Sequence, residues 1–64
     1  MIPPRVEAIL DAFRGCTNVP EVNACARDHA EEVAALNADP ETRVFAFQIR
    51  NMAAYRRLVL IHHK

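Results

Sequence analysis

Cys25 and His29 stand four residues apart, so on a helix they share one face. A thiolate and a neutral imidazole so placed are a zinc-ligand pair, or the nucleophile and base of a cysteine enzyme. Each chemistry asks for more than two residues. A structural zinc site wants two further ligands, and the remaining cysteine and histidines are Cys16, His62 and His63. In an antiparallel helical arrangement these lie at the other end, roughly ten residues of helix from His29. The four do not converge. A cysteine nucleophile wants an electropositive, partly exposed setting and an oxyanion hole. A chain with one glycine has no glycine-rich loop, and 64 residues are too few to enclose a substrate. Glu31 and Glu32 fail as an acid–base pair because adjacent helical residues diverge by ~100°. No catalytic residue, metal or other cofactor is implied, and the chain is expected not to be an enzyme. His29 is expected to be half-buried and bonded to a polar neighbour. Cys16 and Cys25 read as free, buried thiols about ten ångströms apart, too far for an unstrained disulfide.

Arg43, Arg50 and Arg57 recur every seven residues and keep to one strip, drifting only ~20° per heptad. Such a strip could contact phosphates, an acidic protein partner, or carboxylates within the molecule. The charge distribution offers the third a source. Between residues 21 and 41 there are six acids (Glu21, Asp28, Glu31, Glu32, Asp39, Glu41) and one base, Arg27, and no acid follows Glu41. Net charge is zero, so no global field recruits nucleic acid or a membrane surface. Eleven alanines, with seven arginines to one lysine, also point to a compositional bias that enriches arginine without a role.

The elements that position these residues follow from caps and periodicity. Pro3 and Pro4 open a first helix over about residues 4–14, with Val6, Ile9, Leu10 and Phe13 at i, i+3, i+4, i+7. Gly15 stands where a C-terminal cap takes a left-handed residue. Asn18 is the N-cap of a second helix over about 19–38, with Glu21 as its capping-box partner and Val22, Cys25, Ala26, His29, Val33 and Leu36 on its apolar stripe. Asp39-Pro40-Glu41 reads as cap, first turn and dipole partner of a third helix over about 40–62. Short connections make neighbours antiparallel. The expected fold is all-α, one domain spanning 1–64, a small three-helix antiparallel bundle with a long C-terminal helix.

That last helix is apolar on two sides. Phe45, Ile49, Met52, Val59 and Leu60 gather on one, and Val44, Phe47, Ala54, Tyr55 and Leu58 on another. A core of this size supplies only ~3–5 kcal/mol, so the helix is either the central element or half of an interface. Arg56 projects into the first side and is expected to snorkel or to meet a carboxylate, Glu32 being the candidate. Asn51 divides the second side, either as a polar residue that sets register in an oligomer or as part of the rim. The expected contact residues are Arg43, Arg50, Met52, Tyr55, Arg56 and Arg57.

The expectation for function is a cytoplasmic, non-enzymatic interaction module, a homodimer, that binds and inhibits or regulates a partner protein or complex. Its size is that of phage and mobile-element accessory proteins, anti-CRISPR inhibitors among them. The alternative is a small nucleic-acid-binding regulator using the arginine strip. No basic-then-apolar leader opens the chain, and the longest fully apolar run, Leu58 to Ile61, is too short to span a bilayer.

Overall fold

Pro4 starts α1 (Pro4–Arg14), where its missing N–H would have had no helical partner, and Val6, Ile9, Leu10 and Phe13 all turn inward. The structure, a computed structural model, describes residues 2–62. The helices that follow are α2 (Val19–Asp28), α3 (Ala30–Ala38) and α4 (Arg43–His62). The architecture is all-α, a small bundle whose tight connections return the chain along itself. His63, weighed above as a metal ligand, and Lys64 lie outside the described residues.

The expected second helix is divided at His29, whose φ of −108° and ψ of 9° leave the helical region. No proline or glycine causes the break. At the break the histidine side chain bonds back onto the helical ladder. Its Nδ1 lies 2.9 Å from the Cys25 carbonyl, the same oxygen that accepts from the His29 backbone N–H at 3.1 Å. The carbonyl thus accepts from both the ring and the backbone of His29.

The expected start of the last helix also shifts. Asp39 closes α3 instead of opening α4: its Oδ1 accepts from the Glu41 N–H at 2.9 Å, and its carbonyl accepts from the Thr42 N–H at 3.1 Å. Thr42 donates its hydroxyl to the Leu36 carbonyl at 2.7 Å, and its own carbonyl accepts from Phe45 at 2.9 Å. Pro40 therefore sits in a turn, and α4 begins three residues later. Gly15 is likewise not left-handed. It has φ −80° and ψ −7°, and its N–H closes α1 onto the Asp11 carbonyl.

The core joins α1, the Cys16 corner, Val22 of α2, and Ala46, Ile49 and Ala53 of α4. Phe13 and Val22 are essentially inaccessible, and burial of such side chains contributes about 1.5–3 kcal/mol each. α3 buries no residue fully and leans on the cluster through Val33 and Leu36. α4 touches each of the other three helices. It is the central element of the fold.

Candidate protein-interaction surface

Position by position, α4 divides into halves. Counting a seven-residue repeat from Val44 as a, the b, c and f positions are Phe45, Ala46, Ile49, Met52, Ala53, Arg56, Val59 and Leu60. All of these are buried or half-buried against the rest of the chain. The a and d positions are Val44, Phe47, Asn51, Ala54, Leu58 and Ile61, and all six are exposed. Val44, Phe47, Tyr55, Leu58 and Ile61 are each between 53% and 61% exposed, on one side of a single helix. Isolated apolar residues on a surface are ordinary, whereas a row of them along one helix is a candidate binding surface. The two-sided character expected from the sequence is thus present: one side is core and the other is open.

The groups flanking this row are basic and neutral. Arg43, Arg50 and Arg57 line one edge, and Gln48, Tyr55 and His62 the other. The arginines do not reach the acids of the preceding segment. Arg43 donates through Nε to the Asn37 carbonyl at 3.1 Å, and Arg57 donates through Nε to Asn23 Oδ1 at 2.9 Å. Asp28, Glu31 and Glu32 face solvent instead. Among the described residues, the ion pairs are those of Arg14 with Asp11 and Glu7, both within α1.

Arg56 lies on the inner side. Its Nη2 donates to the Cys16 carbonyl at 2.8 Å, and its Nε is buried without a partner. The carbonyl at the α1–α2 corner, not Glu32, is the group it meets. Met52 is half-buried and, with Ile2, Leu10 and Tyr55, lines a shallow hollow of about 340 Å³ beside the exposed row. The six expected contact residues therefore divide. Arg50 and Tyr55 are exposed beside the row, Arg43 and Arg57 border it while bonded within the chain, and Met52 and Arg56 turn toward the core. Val44, Phe47, Leu58 and Ile61 were not among the residues expected to make contact. Their alternating spacing of three and four would have revealed them.

The Cys25–His29 pair is occupied locally. Because a carbonyl only accepts, the Nδ1 facing Cys25 O carries the proton, and it stands 3.7 Å from the Cys25 sulfur as a donor, not a base. Burial pushes the Cys25 thiol above its ordinary value, and the nearby Cys16 thiol adds to the effect. That is the opposite of an activated thiolate. Cys16 lies in the connecting corner with its Sγ turned to the Ala12 carbonyl at 3.4 Å. Both cysteines are free, Cys16 buried and Cys25 half-buried. Among the described residues no three His, Cys, Asp or Glu side chains cluster as a metal site. No helix is long and apolar enough to cross a membrane.

No family model matches this chain, and comparison with curated proteins and with solved structures likewise returns no match.

Proposed function

We propose that this chain is a non-enzymatic protein-interaction module whose working surface is the outer side of α4. One observation carries the reading: five large apolar side chains, each more than half exposed, stand on one side of the helix that also organises the core. Covering such a row with another protein removes it from water at roughly 25 cal/mol per Å². The rigid inner packing of α4 holds the row in place, so little ordering cost opposes binding. A stoichiometric inhibitor or regulator of a protein complex, of the kind encoded by phages and mobile elements, is the setting that suits a small helical chain with an open apolar face and no chemistry of its own.

The nucleic-acid reading has less support. Arg43 and Arg57 are each bonded to a neutral group of the chain, which leaves Arg50 alone on the strip without such a bond among the described residues. A photo-crosslinking residue at position 47, compared with one at exposed Ala12 of α1, tests the proposal. Light-dependent adducts to protein are expected at 47 and not at 12. An equal yield at both sites, or none at 47, rejects the interaction surface.

A further inference from the structure

We propose that the cover of this surface is a second copy of the same chain, its α4 lying parallel and in register so that the two Asn51 side chains meet. The proposal rests on the reading of α4 as an interaction surface and names its occupant.

The open residues Val44, Phe47, Asn51, Ala54, Leu58 and Ile61 follow one another at spacings of 3, 4, 3, 4 and 3. This is the seam of a two-stranded coiled coil, in which each a or d side chain enters a gap on the facing helix. It extends for about 26 Å at ~1.5 Å per residue. The side chains that hold α4 in its own fold, at b, c and f, point the opposite way. Pairing therefore disturbs none of the core. An isolated peptide of this length would bear the cost of helix nucleation, but α4 is already a helix in the monomer.

Asn51 argues for a like partner. An asparagine at a central a position is costly beside an apolar residue and acceptable beside another asparagine, where the amides bond to each other. Two-fold symmetry supplies that second amide, since each residue on the axis meets its own copy.

The edges argue for parallel chains. In a parallel pair, the g position of one helix faces the e position five residues on in the other. Arg43 then meets Gln48, Arg50 meets Tyr55, and Arg57 meets His62. The second contact sets a guanidinium against a tyrosine ring, an attractive cation–π arrangement. In an antiparallel pair g faces g, which sets Arg50 against Arg50 and Arg43 against Arg57. It also places Asn51 opposite Ala54, with no amide to bond. Orientation thus follows from the same arginine strip that has no carboxylate partner among the described residues.

Sedimentation equilibrium over a wide concentration range is the first test. A monomer–dimer equilibrium is expected. Phe47→Glu and Leu58→Glu should each raise the dissociation constant at least ~100-fold, while retaining the monomer's helical circular dichroism because both residues lie outside the core. Asn51→Leu should tighten association and admit species larger than a dimer, since the polar layer that restricts the assembly is gone. For orientation, a Gly-Gly-Cys tail after Lys64 in a glutathione redox buffer should link two C-termini. In a mixture with chains carrying an N-terminal Cys-Gly-Gly tail, disulfides should form between like ends. A wild type that stays monomeric at every concentration overturns the proposal, and so do mixed-end disulfides or a dimer indifferent to Asn51→Leu. The two levels separate cleanly: a crosslink at position 47 to a different protein, with a monomeric chain, leaves the interaction surface standing and rejects the second copy.

Discussion

The inner and outer sides of α4 have nearly the same composition and opposite consequences. Inward are Phe45, Ile49, Met52, Val59 and Leu60, and outward are Val44, Phe47, Leu58 and Ile61. Each side even carries one polar residue among its apolar ones, Arg56 inside and Asn51 outside. What separates them is not hydrophobicity but whether another element reaches them. α1, α2 and α3 together cover only one side of a helix of 20 residues, because the first three helices of 11, 10 and 9 residues supply too little surface to enclose it. A short chain with a long apolar helix thus leaves part of its hydrophobic surface open to solvent.

The sharpest way to break this comparison is to delete equal volumes from the two sides. Ile49→Ala removes a side chain that is 2% exposed, and the cavity left behind costs about 2–5 kcal/mol. For a domain whose whole stability is of the order of ~3–5 kcal/mol, that change leaves much of the population unfolded. Leu58→Ala deletes a similar volume from the open side, and in dilute monomer its effect should lie within about 0.5 kcal/mol. Urea titration followed by circular dichroism measures both. Equal losses in the two variants would mean that the outer row is packed against something within the monomer, and the distinction between sides would be gone.

Arginine offers a second comparison with a smaller effect. Arg56→Ala removes a charged donor from the Cys16 carbonyl and should cost about 1.5–3 kcal/mol, the range for hydrogen bonds to charged groups. The unpartnered Nε already imposes a penalty on the native state, which places the expected value toward the low end. Arg50→Ala, on the edge of the open side, should change folding stability by no more than about 0.5 kcal/mol. A third variant probes the corner that Arg56 holds. Gly15 has a right-handed φ, and a Cβ built on it finds Ala12 O and Asp11 O at 3.7 Å, ordinary contact. Gly15→Ala should therefore stabilise by about 0.4–1 kcal/mol through the unfolded chain, read from the same titration. A loss would show that the corner needs a glycine after all.

Much of this was legible from residue order because it depends on neighbours three or four positions away. The stripe of α1, the Asn18 cap and the two apolar sides of α4 are local patterns, and the structure contains each of them. Asn18 Oδ1 accepts from the Glu21 N–H at 2.9 Å as a cap should. What escaped depends on competition for one atom. His29 and its own backbone share the Cys25 carbonyl, and Thr42 prefers the Leu36 carbonyl to capping α4. Both residues are compatible with an intact helix, and residue order alone does not say which acceptor each side chain takes. Arg56 was expected among the contact residues and turns inward instead, to an acceptor 40 residues away in sequence, beyond what periodicity can reach. The candidate surface was half legible. Its charged border was read as its centre, because arginines at a seven-residue spacing are conspicuous and an exposed Phe47 or Leu58 looks like core until the core is seen to be full.

The smallest expected effect concerns the corner beneath the inner side and is a matter of pH. The Glu21 carboxylate accepts from the Thr17 N–H at 2.7 Å and from the Thr17 hydroxyl at 2.9 Å, one residue earlier than a capping box would reach. The backbone bond first and the hydroxyl bond second favour the charged form and hold Glu21 below its ordinary value near 4.5. A depressed folded value means that the unfolded chain takes up the proton first as pH falls. The contribution is complete above the ordinary value and disappears as pH drops through the folded one. Wild type should therefore lose more stability between about pH 5 and pH 2 than Glu21→Gln, whose amide oxygen accepts the same bonds without titrating. Because Glu21 is fully exposed the difference should be small, and thermal melts of the two proteins at matched ionic strength are the measurement. Parallel pH profiles would show that the corner holding Arg56 is fixed by its backbone alone. The inner side of α4 would then rest on a support that the titration of Glu21 does not loosen.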